Sequence, residues 1–178
     1  VITVSGDAGP RFVFEELNIS GNYVLSDDEI RATFLSEIEQ ANGAFGLGTP
    51  ELGRARIETL YQSQGYLSAN VTVSISEPRI TMERGAPVAE VSAELAVVEG
   101  ARVLIESVTM VGGADEVVVT DLQELVGKPV DPKTLNDLVE SIGEAYRDTG
   151  YLDVDVTGDL SVRGEGADFH LSVAAGPQ

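Results

Sequence analysis

Apolar and polar residues alternate along this chain in short stretches, and the same succession of stretches occurs twice. Phe12 and Phe14, then Leu17 and Ile19, alternate with polar neighbours as the residues of a half-buried strand do. The parity changes between Phe14 and Leu17. Val103 and Ile105, then Val108 and Met110, change parity at the same place, and a shared flip predicts a β-bulge in each strand. Gly21-Asn22 and Gly112-Gly113 end the two strands with residues that tolerate positive φ.

Helical periodicity follows. Ser26 with Glu29 three residues on is a capping box. Ile30, Phe34 and Ile38 then fall on one helical face, and Asp27, Asp28 and Glu29 read as first-turn acids that complement the helix dipole. The glycine-rich stretch 42–48 breaks the pattern. It lacks the Lys-Ser/Thr pair of a phosphate loop and reads as a flexible inter-helix connection. Thr49-Pro50 opens a second helix, and Asp131-Pro132 opens its counterpart with Leu135, Leu138, Val139, Ile142 and Tyr146 on the apolar face. Gly65 and Gly150 stand at the two helix ends, where a left-handed residue caps the last turn. Val71, Val73 and Ile75 then alternate as a strand, followed by Val91, Ala93, Leu95 and Val97. The second copy offers Val154 and Val156, then Phe169, Leu171 and Val173. Each copy therefore reads strand, helix, helix, strand, strand. That is an α+β module, a three-stranded sheet covered on its apolar face by two helices.

The repeat is also written in the residues themselves. Tyr61-Gln-Ser-Gln-Gly-Tyr-Leu67 returns as Tyr146-Arg-Asp-Thr-Gly-Tyr-Leu152, an offset of 85, while Arg11 and Arg102 open the copies at an offset of 91. Copies of this size that differ mainly in loop length are tandem modules. A strand followed by glycine closes each one, at Leu95–Gly100 and Leu171–Gly176, and Val1–Ser5 before Gly6 has the same form. The expected division is residues 1–8 as the last strand of a truncated preceding module, then modules at 9–99 and 100–178. The short junction around Val98–Arg102 predicts a semi-rigid connection.

Composition narrows the partners. The net charge of −19 over 178 residues, with Lys128 and Lys133 the only lysines, leaves no basic patch for a nucleic-acid backbone or for anionic headgroups. Cysteine is absent, which excludes disulfides and thiolate chemistry. No run of 18 apolar residues is present to cross a bilayer as a helix. The chain opens at Val1 without methionine or a signal peptide and reads as a piece of something longer.

Candidate chemistry is thin. Asp153–Asp159 imitates the start of a calcium loop with glycine at its sixth position, but the twelfth is Gly164 instead of a bidentate glutamate. The alternating valines make that stretch a strand, where successive aspartates share a face and do not encircle an ion. His170, the only histidine, has no nucleophile to serve and reads as a surface strand position. Tyr61 and Tyr146, and likewise Tyr66 and Tyr151, are paired by the repeat and read as packing residues. No acid, base and nucleophile recur at useful spacing, so the reading is a non-enzymatic chain with no cofactor and no metal.

The element order, the opening strand ending in Ser20-Gly-Asn22, and the helix ending in Tyr61-x-x-x-Gly-Tyr-Leu67, found twice in order, resemble tandem POTRA (polypeptide-transport-associated) domains of BamA- and TamA-like outer-membrane assembly factors. The junction Val98-Glu-Gly-Ala-Arg-Val-Leu-Ile105 is similar to those between consecutive POTRA domains. Gly113 in place of the asparagine, and the length of the glycine-rich loop, depart from the pattern. The resemblance implies a periplasmic arm, in a Gram-negative bacterium, ahead of a C-terminal β-barrel. Such an arm receives unfolded outer-membrane proteins and docks accessory periplasmic lipoproteins. It also implies β-augmentation, in which a guest strand joins an exposed sheet edge through backbone hydrogen bonds. By position the edges are Ala69, Asn70, Val71, Thr72, Val73, Ser74 and Ile75 in the first copy, and the stretch 154–160, above all Val154, Asp155, Val156 and Thr157, in the second. The alternative for these strands is an edge that is merely an edge, covered or blunted. The alternatives for the chain are the arm of a two-partner secretion transporter with one dedicated client, and a passive spacer.

Overall fold

A computed structural model of the protein describes residues 11–40, 49–113 and 122–176. The expected strand at Val1–Ser5, the glycine-rich loop 42–48 and the side chains of Phe12 and Ile38 lie outside the described residues. The chain divides into two compact units. The first gathers the chain up to Thr59 with Asn70–Glu99, and the second gathers Leu60–Ala69 with Gly100 onward.

The first unit is built from β1 (Arg11–Ser20), α1 (Asp27–Gln40), most of α2 (Thr49–Ser63), β2 (Asn70–Ile75), β3 (Arg79–Glu83) and β4 (Ala86–Val98). β4 is the centre of its sheet. It pairs in parallel with β1 on one side and antiparallel with β2 and β3 on the other. The alternation of the sequence becomes burial here: Val91, Ala93, Leu95 and Val97 are all buried, and the residues between them are not. Ile30 and Phe34 of α1 and Ile57 of α2 are fully buried, with the Phe34 ring 6.0 Å from that of Phe14 on β1, each burial stabilising by about 1.5–3 kcal/mol. Gly53 lets the two helices approach, because a β-carbon there would meet the Phe34 ring at 2.5 Å.

The expected order is present with one addition. β2 and β3 together form the long arm of a hairpin with β4, and Arg84 and Gly85 turn it with φ of 51° and 84°. Two central residues with positive φ are the turn that matches strand twist.

The second unit has β5 (Leu104–Gly112), a 3-10 turn at Leu122–Leu125, α3 (Pro132–Asp148), β6 (Val154–Arg163) and β7 (Gly166–Ala175), with strand order β5-β7-β6. β7 is central, parallel to β5 and antiparallel to β6. α3 is the one α-helix lying wholly in this unit among the described residues; residues 114–121, between β5 and the 3-10 turn, are not among them.

Both predicted bulges are present. The register shifts between Phe14 and Glu16 in β1 and between Ile105 and Ser107 in β5. Gly21 and Gly112 end these strands at φ of 79° and 82°, and a side chain on either would collide with the carbonyl of Val97 or Val173. Asn22 does not adopt positive φ; it bonds the Leu25 carbonyl and the Asp27 carboxylate instead. The helix ends repeat as well. Tyr66 N donates to Tyr61 O at 3.1 Å and Gly65 N to Gln62 O at 3.0 Å, and Tyr151 and Gly150 make the same pair of bonds to Tyr146 and Arg147. This is a Schellman closure in both copies. Tyr61 and Tyr146 are buried, each edge-on to the tyrosine five residues later.

Candidate strand-docking edges

Each sheet ends in the strand that follows the long helix. Among the described residues β2 and β6 each pair with one strand only, the central one. In an antiparallel ladder, alternate residues point both backbone groups at the partner and the others point them away. Ser76 N bonds Ser92 O at 2.9 Å, so Asn70, Thr72 and Ser74 face β4 and Val71, Val73 and Ile75 face the open edge. In the second unit Gly176 N bonds Asp153 O at 2.7 Å, which turns Asp155 and Thr157 to β7 and Val154 and Val156 outward. Ala69 stands apart. It precedes β2, and its amide is taken by Tyr66 O at 3.1 Å.

The side chains of Asn70, Thr72 and Ser74 are exposed on the sheet face away from the helices. Thr72 and Ser74, with Asn18, Ser20 and Glu94, line a shallow groove of about 330 Å³. Further along that face Arg79 bridges Glu90 at 2.8 Å and Glu15, the bulge residue, at 3.1 Å. In the second unit the equivalent face carries Asp155, Thr157 and the exposed His170, whose Nδ1 lies 2.6 Å from Thr109 Oγ1.

Sequence reading missed one residue at the first edge. The carboxylate of Glu58 on α2 accepts a hydrogen bond from the Val71 amide at 3.1 Å. Arg54, one turn earlier, holds both Glu58 oxygens at 2.8 Å and also Glu51 at 2.9 Å. These bonds, to Glu51 first and then to Glu58, raise the Arg54 guanidinium above its ordinary pKa. The signal available in the sequence was the spacing of Glu51, Arg54 and Glu58 along one helical face. That spacing does not reveal contact with an edge strand.

Two α+β units, each with a central last strand, a parallel first strand and an open edge after the helix, define a tandem protein-module architecture. A family model described as POTRA, surface antigen variable number repeat, matches residues 12–100, half of the chain. The chain belongs to the POTRA family. Its fold is similar to POTRA3-5 of BamA from Haemophilus influenzae, with 17% identity, coverage of 94% of this chain and 67% of that one, and a TM-score of 0.55. It is also similar to BamA from Haemophilus ducreyi lacking POTRA domains 1-3, at 16% identity over 92% of this chain and 29% of that one, with a TM-score of 0.56. POTRA1-2 of Omp85 from Anabaena aligns with 95% of this chain and 98% of its own length at 20% identity and a TM-score of 0.47. No curated protein matches the chain by sequence. Among the described residues no helix is long and apolar enough to cross a membrane.

Proposed function

We propose that this chain is part of the periplasmic arm of an outer-membrane β-barrel assembly protein, a non-catalytic arm that takes extended segments of unfolded outer-membrane proteins onto its sheet edges. One observation carries the reading. β2 and β6 occupy the same place in two successive modules, and each presents alternate backbone amides and carbonyls outward. Backbone pairing suits clients that differ in sequence, because every client has the same amides. Accessory lipoproteins and the protein's own barrel are the further partners this role requires. The strongly negative charge keeps the arm from competing anionic surfaces.

The test is an NMR titration with short extended peptides taken from barrel strands. Selective shifts of the amides of Val71–Ile75 or of Val154–Leu160 support the reading. An intact spectrum that does not move at millimolar peptide replaces it with a spacer.

A further inference from the structure

The two edges are not equivalent. The Tyr61/Tyr146 offset of 85 places Glu58 opposite Gly143 and Val71 opposite Val156. In the first unit a carboxylate therefore sits on the first outward amide of β2, at a distance ordinary for a hydrogen bond, with its side chain only 18% exposed. A guest strand would place a backbone carbonyl oxygen at that same amide. Glu58 fills the guest's position, and Arg54 holds it there from the helix side.

In the second unit the helix position is empty. A β-carbon on Gly143 would lie 3.8 Å from Val156 Cγ2, so the backbone of α3 passes close to the strand with nothing to place on its amide. The group nearest to that β-carbon position is Nη2 of Arg147, at 3.1 Å. A guanidinium donates and does not accept, so it leaves an N–H unsatisfied. Among the described residues no side chain accepts from the Val156 amide. Glycine inside a helix costs about 1 kcal/mol relative to alanine, which makes Gly143 in mid-α3 unexplained by helix formation alone.

We infer that Glu58 gates the β2 edge: an extended peptide strand docks on β6 directly, and on β2 along its full length only when Glu58 releases the Val71 amide. This rests on the edge-pairing reading above and adds an order of engagement between the two modules. Until Glu58 swings away, a guest on β2 pairs from Val73 onward, which shortens the ladder and shifts its register.

The experiment uses the present chain, a short capped uncharged peptide of alternating valine and threonine, and a control of the same sequence with alternate amides methylated. Residue-resolved NMR gives a separate affinity for each edge, and amide exchange without peptide reports on Val71 itself. Glu58→Ala is expected to accelerate Val71 exchange and to tighten binding at β2 by roughly three- to ten-fold, the worth of one recovered backbone hydrogen bond. Binding at β6 stays unchanged. Glu58→Gln, whose carbonyl still accepts, keeps β2 close to the parent. Gly143→Glu, which can also pair with Arg147 four residues on, weakens β6 by a similar factor.

Faster Val71 exchange in Glu58→Ala with unmoved affinity at β2 overturns the gate while leaving edge docking in place. Failure of every variant to bind at either edge overturns the docking reading and the gate together. If Glu58→Ala gives no folded spectrum, Gly143→Glu decides, and unchanged binding at β6 overturns the gate.

Discussion

The hydroxyl of Tyr146 lies where a β-carbon on Gly113 would have to be. Gly113 also has φ of 92°, so steric space and backbone conformation both demand glycine there. This explains why the second copy does not carry the asparagine found at position 22 in the first. Gly113→Asn, which restores the first copy's sequence, is expected to destabilise the second unit by about 2–4 kcal/mol. Urea unfolding followed through amides of β7 measures it. Adding Tyr146→Phe removes the obstructing oxygen, and the double variant is expected to lose less than the sum of the singles.

Core volume is exchanged between the copies in one place. Val73 and Ala93 of the first unit correspond to Gly158 and Phe169 of the second. A β-carbon on Gly158 would stand 2.8 Å from the Phe169 ring and 2.9 Å from Val139, so the phenyl ring occupies the room that a valine takes in β2. Gly158→Val alone is expected to cost about 1–3 kcal/mol by overpacking, and Phe169→Ala alone about 3–5 kcal/mol by leaving a cavity. Made together, they are expected to cost measurably less than the two added. Additive losses in chemical denaturation would show that the pair is not a volume exchange.

The capping box at the start of α1 makes a pH prediction. Glu29 accepts from the Ser26 amide at 2.9 Å and from its hydroxyl at 2.8 Å, and the Glu29 amide returns a bond to Ser26 Oγ at 3.3 Å. The amide bond first, then the hydroxyl, holds the Glu29 carboxyl below the usual glutamate range. A lowered folded-state pKa gives stability that is fully present above the ordinary glutamate value and is lost as pH falls through the lowered one. Ser26→Ala is expected to cost about 0.5–2 kcal/mol at neutral pH and to move the Glu29 side-chain titration upward by NMR. An unmoved titration would mean that the box does not persist in solution.

What the sequence made legible is what the backbone enforces locally. Both bulges were written as a parity flip, both helix ends as Gly-Tyr-Leu, and both strand ends as glycines whose β-carbons would strike a carbonyl. β3 was not legible. Its turn is Arg84-Gly85, and an arginine at φ of 51° carries none of the Asn-Gly or Asp-Gly signal that marks such hairpins. Glu58 was not legible either, because its partner is a backbone amide 13 residues away that any sequence would supply. Its contrast with Gly143 emerges only when the two copies are aligned on their tyrosines and the helix is seen to face the edge.

The outward amides can be removed one at a time without touching the sheet. Val73 points its N–H away from β4, so Val73→Pro deletes a docking donor while every ladder bond to β4 remains. Val156→Pro does the same at β6. Thr72→Pro is the control, because its amide faces β4 and its loss breaks the ladder. The two outward prolines are expected to keep the folded spectrum and to abolish peptide-induced shifts at their own edge, leaving the other edge unchanged. Thr72→Pro is expected to lose the folded spectrum of the first unit. Peptide shifts that survive Val73→Pro and Val156→Pro would show that clients meet these modules through side chains on the polar sheet faces. In that case the exposed row of Asn70, Thr72 and Ser74, and not the edge backbone, would be the surface to mutate next.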